Sequence, residues 1–172
     1  GQLELIQTQT IDDSDFSESI LAMDFTSLGN YNVHFLTYSN FFTQGYGYPS
    51  VRLSNNGGSS FHSSSYQYAY WNTAESTVND GKSTSADTIR LGANQYQNMN
   101  GYVYFYNLLN SAKYSFTTSQ SSNVGGNDVS KDVAFGGGVY PTAEVNNAIR
   151  FRMNNANYIG TLTASLYGIK VY

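Results

Sequence analysis

The stretch GYVYFYN, residues 101–107, decides how the rest of the chain reads. Val103 and Phe105 fall on one side of an extended chain and Tyr102, Tyr104 and Tyr106 on the other, because side chains two apart in a strand point the same way. The runs on either side repeat this pattern. In NYNVHFLTYS, residues 30–39, Tyr31, Val33 and Phe35 oppose Asn32, His34 and Leu36; in AIRFRM, residues 148–153, Ile149, Phe151 and Met153 oppose Arg150 and Arg152. Each such strand has one face for a core and one for solvent or a partner.

Further candidate strands are Leu3 to Thr8, Ser19 to Phe25, Pro49 to Leu53, Ser65 to Trp71, Thr88 to Leu91, Lys113 to Thr118 and Tyr158 to Val171. That makes about ten in all. In the last run Leu162, Ala164 and Leu166 share one face while Tyr167, Ile169 and Val171 take the other, so a bulge or bend is expected at Gly168. The expected connections are residues 55–58, 79–81, 119–127 and the triple glycine 136–138, with an acidic loop from Asp13 to Leu21. Many short strands without helices predict an all-β fold, an antiparallel β-sandwich, for which a jelly roll is the commonest wiring. The reading is of one domain, residues 1–172, with residues 1–18 as a candidate N-terminal arm.

Composition narrows the function. Only 12% of the residues are charged, whereas Ser, Asn, Thr and Gly make up 71 of 172, so the surface is polar through neutral groups. Eight Lys and Arg are spread singly along a chain of net charge −4, which gives no footprint for a phosphate backbone, and nucleic acid is not an expected partner. The absence of cysteine removes disulfides, thiolate metal sites and thiol nucleophiles. The opening GQLELIQTQT has no basic leader, and no run approaches the ~18 apolar residues of a membrane span. A soluble chain without membrane insertion, assembled in a host cytoplasm, is the expectation.

The catalytic inventory is thin. His34 and His62 have no ligand spacing between them and read as an ordinary strand and loop histidine. Asp24, Glu75, Asp87, Asp132 and Glu144 are the acids nearest apolar sequence, and glycoside cleavage would need two of them about 5 to 10 Å apart. Asp12, Asp13, Asp15 and Glu18 lack the glycine and terminal glutamate of an EF-hand and read as a solvated turn. Gly136, Gly137 and Gly138 lack the Lys-Ser/Thr of a phosphate loop and read as a flexible turn. No catalytic residue, metal or cofactor is therefore assigned.

Two rows of tyrosine stand out: Tyr66, Tyr68 and Tyr70 in SYQYAYW, and Tyr102, Tyr104 and Tyr106 in GYVYFYN. They read either as cross-strand core packing or, together with Trp71, as a platform for another protein or a sugar. The second reading makes these seven residues the partner- or glycan-binding candidates and suggests a homo-oligomer, a trimer being the expected closed form.

The order of segments LELIQTQT, ILAMDFTSLGNYNVHFLTYSN, VRLSNNGG, SYQYAYW, TIRLG, GYVYFYN and AIRFRMNNANYIGTLTASLYGIK resembles the small virion accessory proteins of tailed bacteriophages, of marine and cyanobacterial hosts especially. The resemblance implies a non-enzymatic structural protein on the particle surface. It takes one of two forms: a jelly-roll capsid decoration (cement) protein bound to the major capsid protein, or a tail-fibre tip that binds host surface glycan. If the 172 residues are a whole protein, beginning and ending in a strand favours decoration; if they are a piece of a longer chain, the fibre tip takes the lead.

Overall fold

The computed structural model describes residues 1–74, 77–92, 97–124 and 131–170. Among them the fold is all-β: twelve antiparallel strands in two sheets, with no α-helix. The strands are β1 (Gln2–Asp12), β2 (Ala22–Phe25), β3 (Val33–Thr43), β4 (Pro49–Ser54), β5 (Tyr66–Ala74), β6 (Thr77–Ala86), β7 (Ile89–Arg90), β8 (Met99–Tyr106), β9 (Ser115–Val124), β10 (Lys131–Tyr140), β11 (Ala148–Met153) and β12 (Ile159–Lys170). Eight form a large sheet in the order β1-β12-β3-β8-β9-β10-β5-β6, and four a small sheet in the order β2-β11-β4-β7.

The alternation in the sequence becomes the core. Leu36 and Tyr38 of β3, Val103 and Phe105 of β8 and Leu166 of β12 point inward from the large sheet; Phe25, Val51, Leu53, Ile149 and Phe151 meet them from the small one. Tyr38 and Phe41 lie 4.8 and 5.0 Å from the ring of Phe151, which ties the layers together. A fully buried side chain of this size contributes roughly 1.5–3 kcal/mol relative to exposure. Residues 2–12 are no free arm: β1 pairs along its length with β12 as the edge of the large sheet.

Two strands run through sequence expected to turn. Residues 79–81 lie inside β6, and Gly136, Gly137 and Gly138 lie inside β10, between β9 and β5. The glycines are there because neighbours come too close for side chains. A Cβ on Gly138 would stand 2.6 Å from Ile89 Cγ2 of the small sheet, and one on Gly136 2.5 Å from Tyr70 Cβ. Likewise the expected 119–127 connection is strand as far as Val124; residues 125–127 lie outside the described residues, as does Val171.

Gly168 carries no bulge. Strand β12 keeps its alternation through it, and the ring of Tyr31 fills the space over the glycine, 2.3 Å from where a Cβ would be. Tyr167 and Ile169 simply face outward. The irregularities fall instead between Leu5 and Gln7 in β1 and where β12 meets the end of β3.

The inner face of β9 is polar throughout: Ser115, Thr117, Ser119, Ser121 and Asn123 are all buried. The side-chain groups of Thr117, Ser119 and Asn123 make no hydrogen bond to the protein. Small residues on β9 and glycines on β10 let the two layers approach closely on this side of the sandwich.

Gly138→Val should therefore cost about 1–3 kcal/mol of stability through overpacking against Ile89, read as a lower urea midpoint with an unchanged slope.

Candidate functional site

The outer face of the large sheet is the part of the molecule whose composition is hardest to explain by folding alone. Register places its residues in rows. One row runs Leu5, Tyr167, Phe35, Tyr104, Thr118, Gly137; the next runs Leu3, Ile169, Val33, Tyr106, Phe116, Val139. A third includes Thr37, Tyr102, Gln120, Phe135 and Trp71. All of these side chains are on the face away from the small sheet.

The rings pack on one another instead of on a second layer. Phe35 stacks on Tyr104 at 4.5 Å, Tyr104 lies 5.8 Å from Tyr102 and 6.4 Å from Tyr106, and Trp71 lies 6.3 Å from Phe135. The tyrosine hydroxyls reach sideways: Tyr102 donates to Gln120 Oε1 at 2.8 Å, and Tyr106 shares a 3.2 Å bond with Thr118 Oγ1. Trp71 remains 57% and Phe135 53% exposed. Of the exposed large hydrophobic residues, Leu3, Leu5, Trp71, Val78, Phe116, Val133 and Phe135 all belong to this one face. Scattered apolar exposure is ordinary, whereas concentration on one face marks an interaction surface.

Charge is nearly absent there. Among the described outward residues from β12 to β5, Lys131 is the only charged one, and the edge strand β6 adds Asp80 and Lys82, 3.7 Å apart. Between the aromatic rows lies a shallow depression of about 590 Å³ floored by Ala69 and Gly137, with Gln67, Lys82, Thr84 and Val139 around it.

The seven expected binding residues divide between the two sides of the sheet. Tyr102, Tyr104, Tyr106 and Trp71 are on the outer face. Tyr66, Tyr68 and Tyr70 point inward and are buried, and the Tyr66 hydroxyl oxygen accepts from Leu53 N–H of the small sheet at 2.7 Å. Burial pushes the Tyr70 phenol up to about 12, helped by the adjacent Tyr48. A single seven-residue platform is thus not formed, for the reason that separates any neighbouring pair in a strand: Tyr70 and Trp71 must face opposite ways. Phe35, Tyr167, Phe116 and Phe135 join the outer face without having been singled out. Alternation gave Phe35 a side, but only the strand order puts it beside Tyr104.

The other candidates have structural partners. Asp24 receives Arg150 at 2.8 and 2.7 Å, and Asp87 pairs with Arg52. Glu144 accepts from Asn55 at 2.9 Å and lies 3.0 Å from His62 Nε2, which also has hydrogen-bond geometry to Asn146 Oδ1 at 3.1 Å. His62 stacks on Tyr140 at 4.4 Å. Asp132 is buried on the inner face of β10, and Glu75 lies outside the described residues. Asp13 accepts from Ser17 N, Ser17 Oγ and Glu18 N at 2.9, 2.9 and 3.0 Å, closing the acidic turn on itself. No group of three His, Asp or Glu that could hold a metal occurs among the described residues.

No protein-family model, curated protein or solved structure matches this chain.

His34 is fully buried, with Nε2 2.9 Å from the Leu28 carbonyl and no partner on Nδ1. Desolvation lowers its pKa, partly offset by the Leu28 bond. A folded value below the unfolded one means the unfolded chain binds the extra proton first. The stability associated with His34 should therefore be complete above about pH 6.5 and fall as the pH drops below it. Urea midpoints measured from pH 7.5 to 5 should decline, and His34→Gln should flatten the decline.

Proposed function

We propose that this chain is a structural protein of a tailed-phage particle that works by surface association, as a capsid decoration protein that cements neighbouring shell subunits. The observation that carries the reading is the outer face of the large sheet: aromatic, nearly uncharged and left without a second layer. Such a face stays wettable through tyrosine hydroxyls and neutral Ser, Thr and Gln while offering broad apolar contact. Eight strands at ~4.8 Å spacing and several outward rows give a face on the order of 1,000 Å², against ~800 Å² per partner in a standard interface. Association as a closed homo-oligomer, a trimer, and contact with the major capsid protein both draw on this surface.

The wiring supports the same setting. The order β1-β12-β3-β8 over β2-β11-β4-β7 supports reading the fold as a jelly roll, with the strand pairs β5-β6 and β9-β10 added to one sheet. Jelly rolls recur in viral capsid proteins and lectins. The resemblance of the sequence segments to virion accessory proteins supplies the phage context.

The depression beside Trp71, floored by Ala69 and Gly137, favours a second reading as a tail-fibre tip that binds host glycan. A glycan array separates the two.

Particles stripped of the protein should assemble yet release their genome at a lower temperature; unchanged thermal release would count against cementing. Trp71→Ser with Phe135→Ser should weaken assembly of the isolated protein by tenfold or more, as loss of large aromatic anchors does, without lowering its unfolding midpoint; sedimentation measures the first and calorimetry the second.

A further inference from the structure

All four arginines of the chain, Arg52, Arg90, Arg150 and Arg152, lie on the outer face of the small sheet, on the opposite side of the sandwich from the aromatic face. Sequence spreads them over a hundred residues; register gathers them into two rows. In the first, Asp24 faces Arg150 and Arg150 faces Arg52. In the second, Arg152 faces Ser50 and Ser50 faces Arg90.

The first row is neutralised, by Asp24 on Arg150 and by Asp87 on Arg52. The second is not. Arg152 donates Nε to the Met153 carbonyl at 2.8 Å, and among the described residues no carboxylate pairs with it. Burial above all, and then the nearby Arg52, lower its pKa, against an opposing pull from Asp87. Arg90 is held by rings instead of an acid, 4.2 Å over Tyr48 and 5.6 Å over Tyr68. Both arginines are half-buried and neither has a carboxylate in direct contact among the described residues, and a partly desolvated charge without a direct partner is a cost that a bound oxyanion removes.

We propose that Arg152 and Arg90, on either side of the buried Ser50, bind the carboxylates of an acidic polysaccharide. The guanidinium fork matches a carboxylate in two-pronged fashion, and stacking on Tyr48 holds Arg90 ready for it. Spacing selects the polymer. Arg152 and Arg90 stand two strands apart, roughly 10 Å between their Cα atoms, which suits a chain carrying one acid on alternate sugars with a neutral sugar between. Duplex nucleic acid carries a charge every ~1.7 Å of its axis, far denser than two free guanidiniums can answer, and a protein of net charge −4 repels so dense a polyanion. An extended acidic peptide repeats same-side carboxylates about every 6.6–7 Å, a poorer fit.

This site does not depend on the aromatic face, and the two readings fail separately. The test titrates the full chain at low salt with four probes. These are a hexasaccharide of alternating uronic acid and neutral sugar, a neutral hexasaccharide, a single-stranded oligonucleotide and an acidic peptide of equal charge. The acidic hexasaccharide should shift amide signals of β4, β7 and β11, raise the thermal midpoint and bind at least about tenfold more tightly than the other three, weakening with salt. Arg90→Gln and Arg152→Gln should each lose most of this binding, whereas the Trp71→Ser, Phe135→Ser protein should keep it. Arg90→Lys, which retains the charge but not the fork, should bind at an intermediate level and serves if the Gln variants unfold. Absence of binding, undiminished binding by the arginine variants, or tighter binding of the oligonucleotide or peptide would each overturn the assignment.

Discussion

Everything in this molecule follows from a mismatch of widths. A sheet of eight strands has two faces to satisfy, and only four strands are available to form the opposing layer. Beneath β3, β8 and β12 the small sheet supplies Phe25, Leu53 and Phe151, and the interior there is apolar. Beneath β9, β10 and β5 it supplies little more than β7. The sequence adapts by shrinking the side chains of β9 and β10 to Ser, Thr, Ala and Gly and by laying Tyr66, Tyr68 and Tyr70 inward to cover the remainder. The unsatisfied hydroxyls of β9 are a consequence of that closeness, since a small polar residue fits where a large apolar one cannot.

The far side of the same sheet has no layer at all, and its composition is the answer to that. Continuous Val and Ile would aggregate; continuous Lys and Glu would prevent association. Rows of Tyr among Thr, Ser and Gln, with Trp71 and Phe135 at one flank, lie between those extremes. The arginines all lie on the other layer, the small sheet. The two broad surfaces of the sandwich thus differ in kind, one aromatic and nearly uncharged and the other carrying the arginines.

How much of this was legible in the sequence depends on distance along the chain. Alternation in residues 33–38 and 102–106 assigns each side chain a face, and those stretches of β3 and β8 follow it, as do residues 149–153 of β11; the phase of β3 changes only beyond them, at Asn40. The same rule applied to Tyr70 and Trp71 would have separated them, so that error was one of grouping and not of missing signal. Strands β6 and β10 were hidden for a different reason. Asn79-Asp80-Gly81 and Gly136-Gly137-Gly138 carry local turn chemistry, and only contacts with Tyr70 and Ile89, far off in sequence, explain why they stay extended. The arginine rows were invisible for the same cause: Arg52, Arg90 and Arg152 become neighbours only through strand pairing that no single segment encodes.

The outermost strand, β6, bears on how such a protein avoids polymerising. Its ten residues carry Asp80, Gly81 and Lys82 at the middle of an otherwise open rim, and its pairing with β5 is irregular near Tyr66 and Tyr68. A rim with a kink and two ionised groups is a poor template for another extended segment. The opposite rim, β1, is broken by its own irregularity at residues 5–7. Both rims are thus poor templates for an added strand, and sideways growth into a ribbon is disfavoured at either end of the sheet.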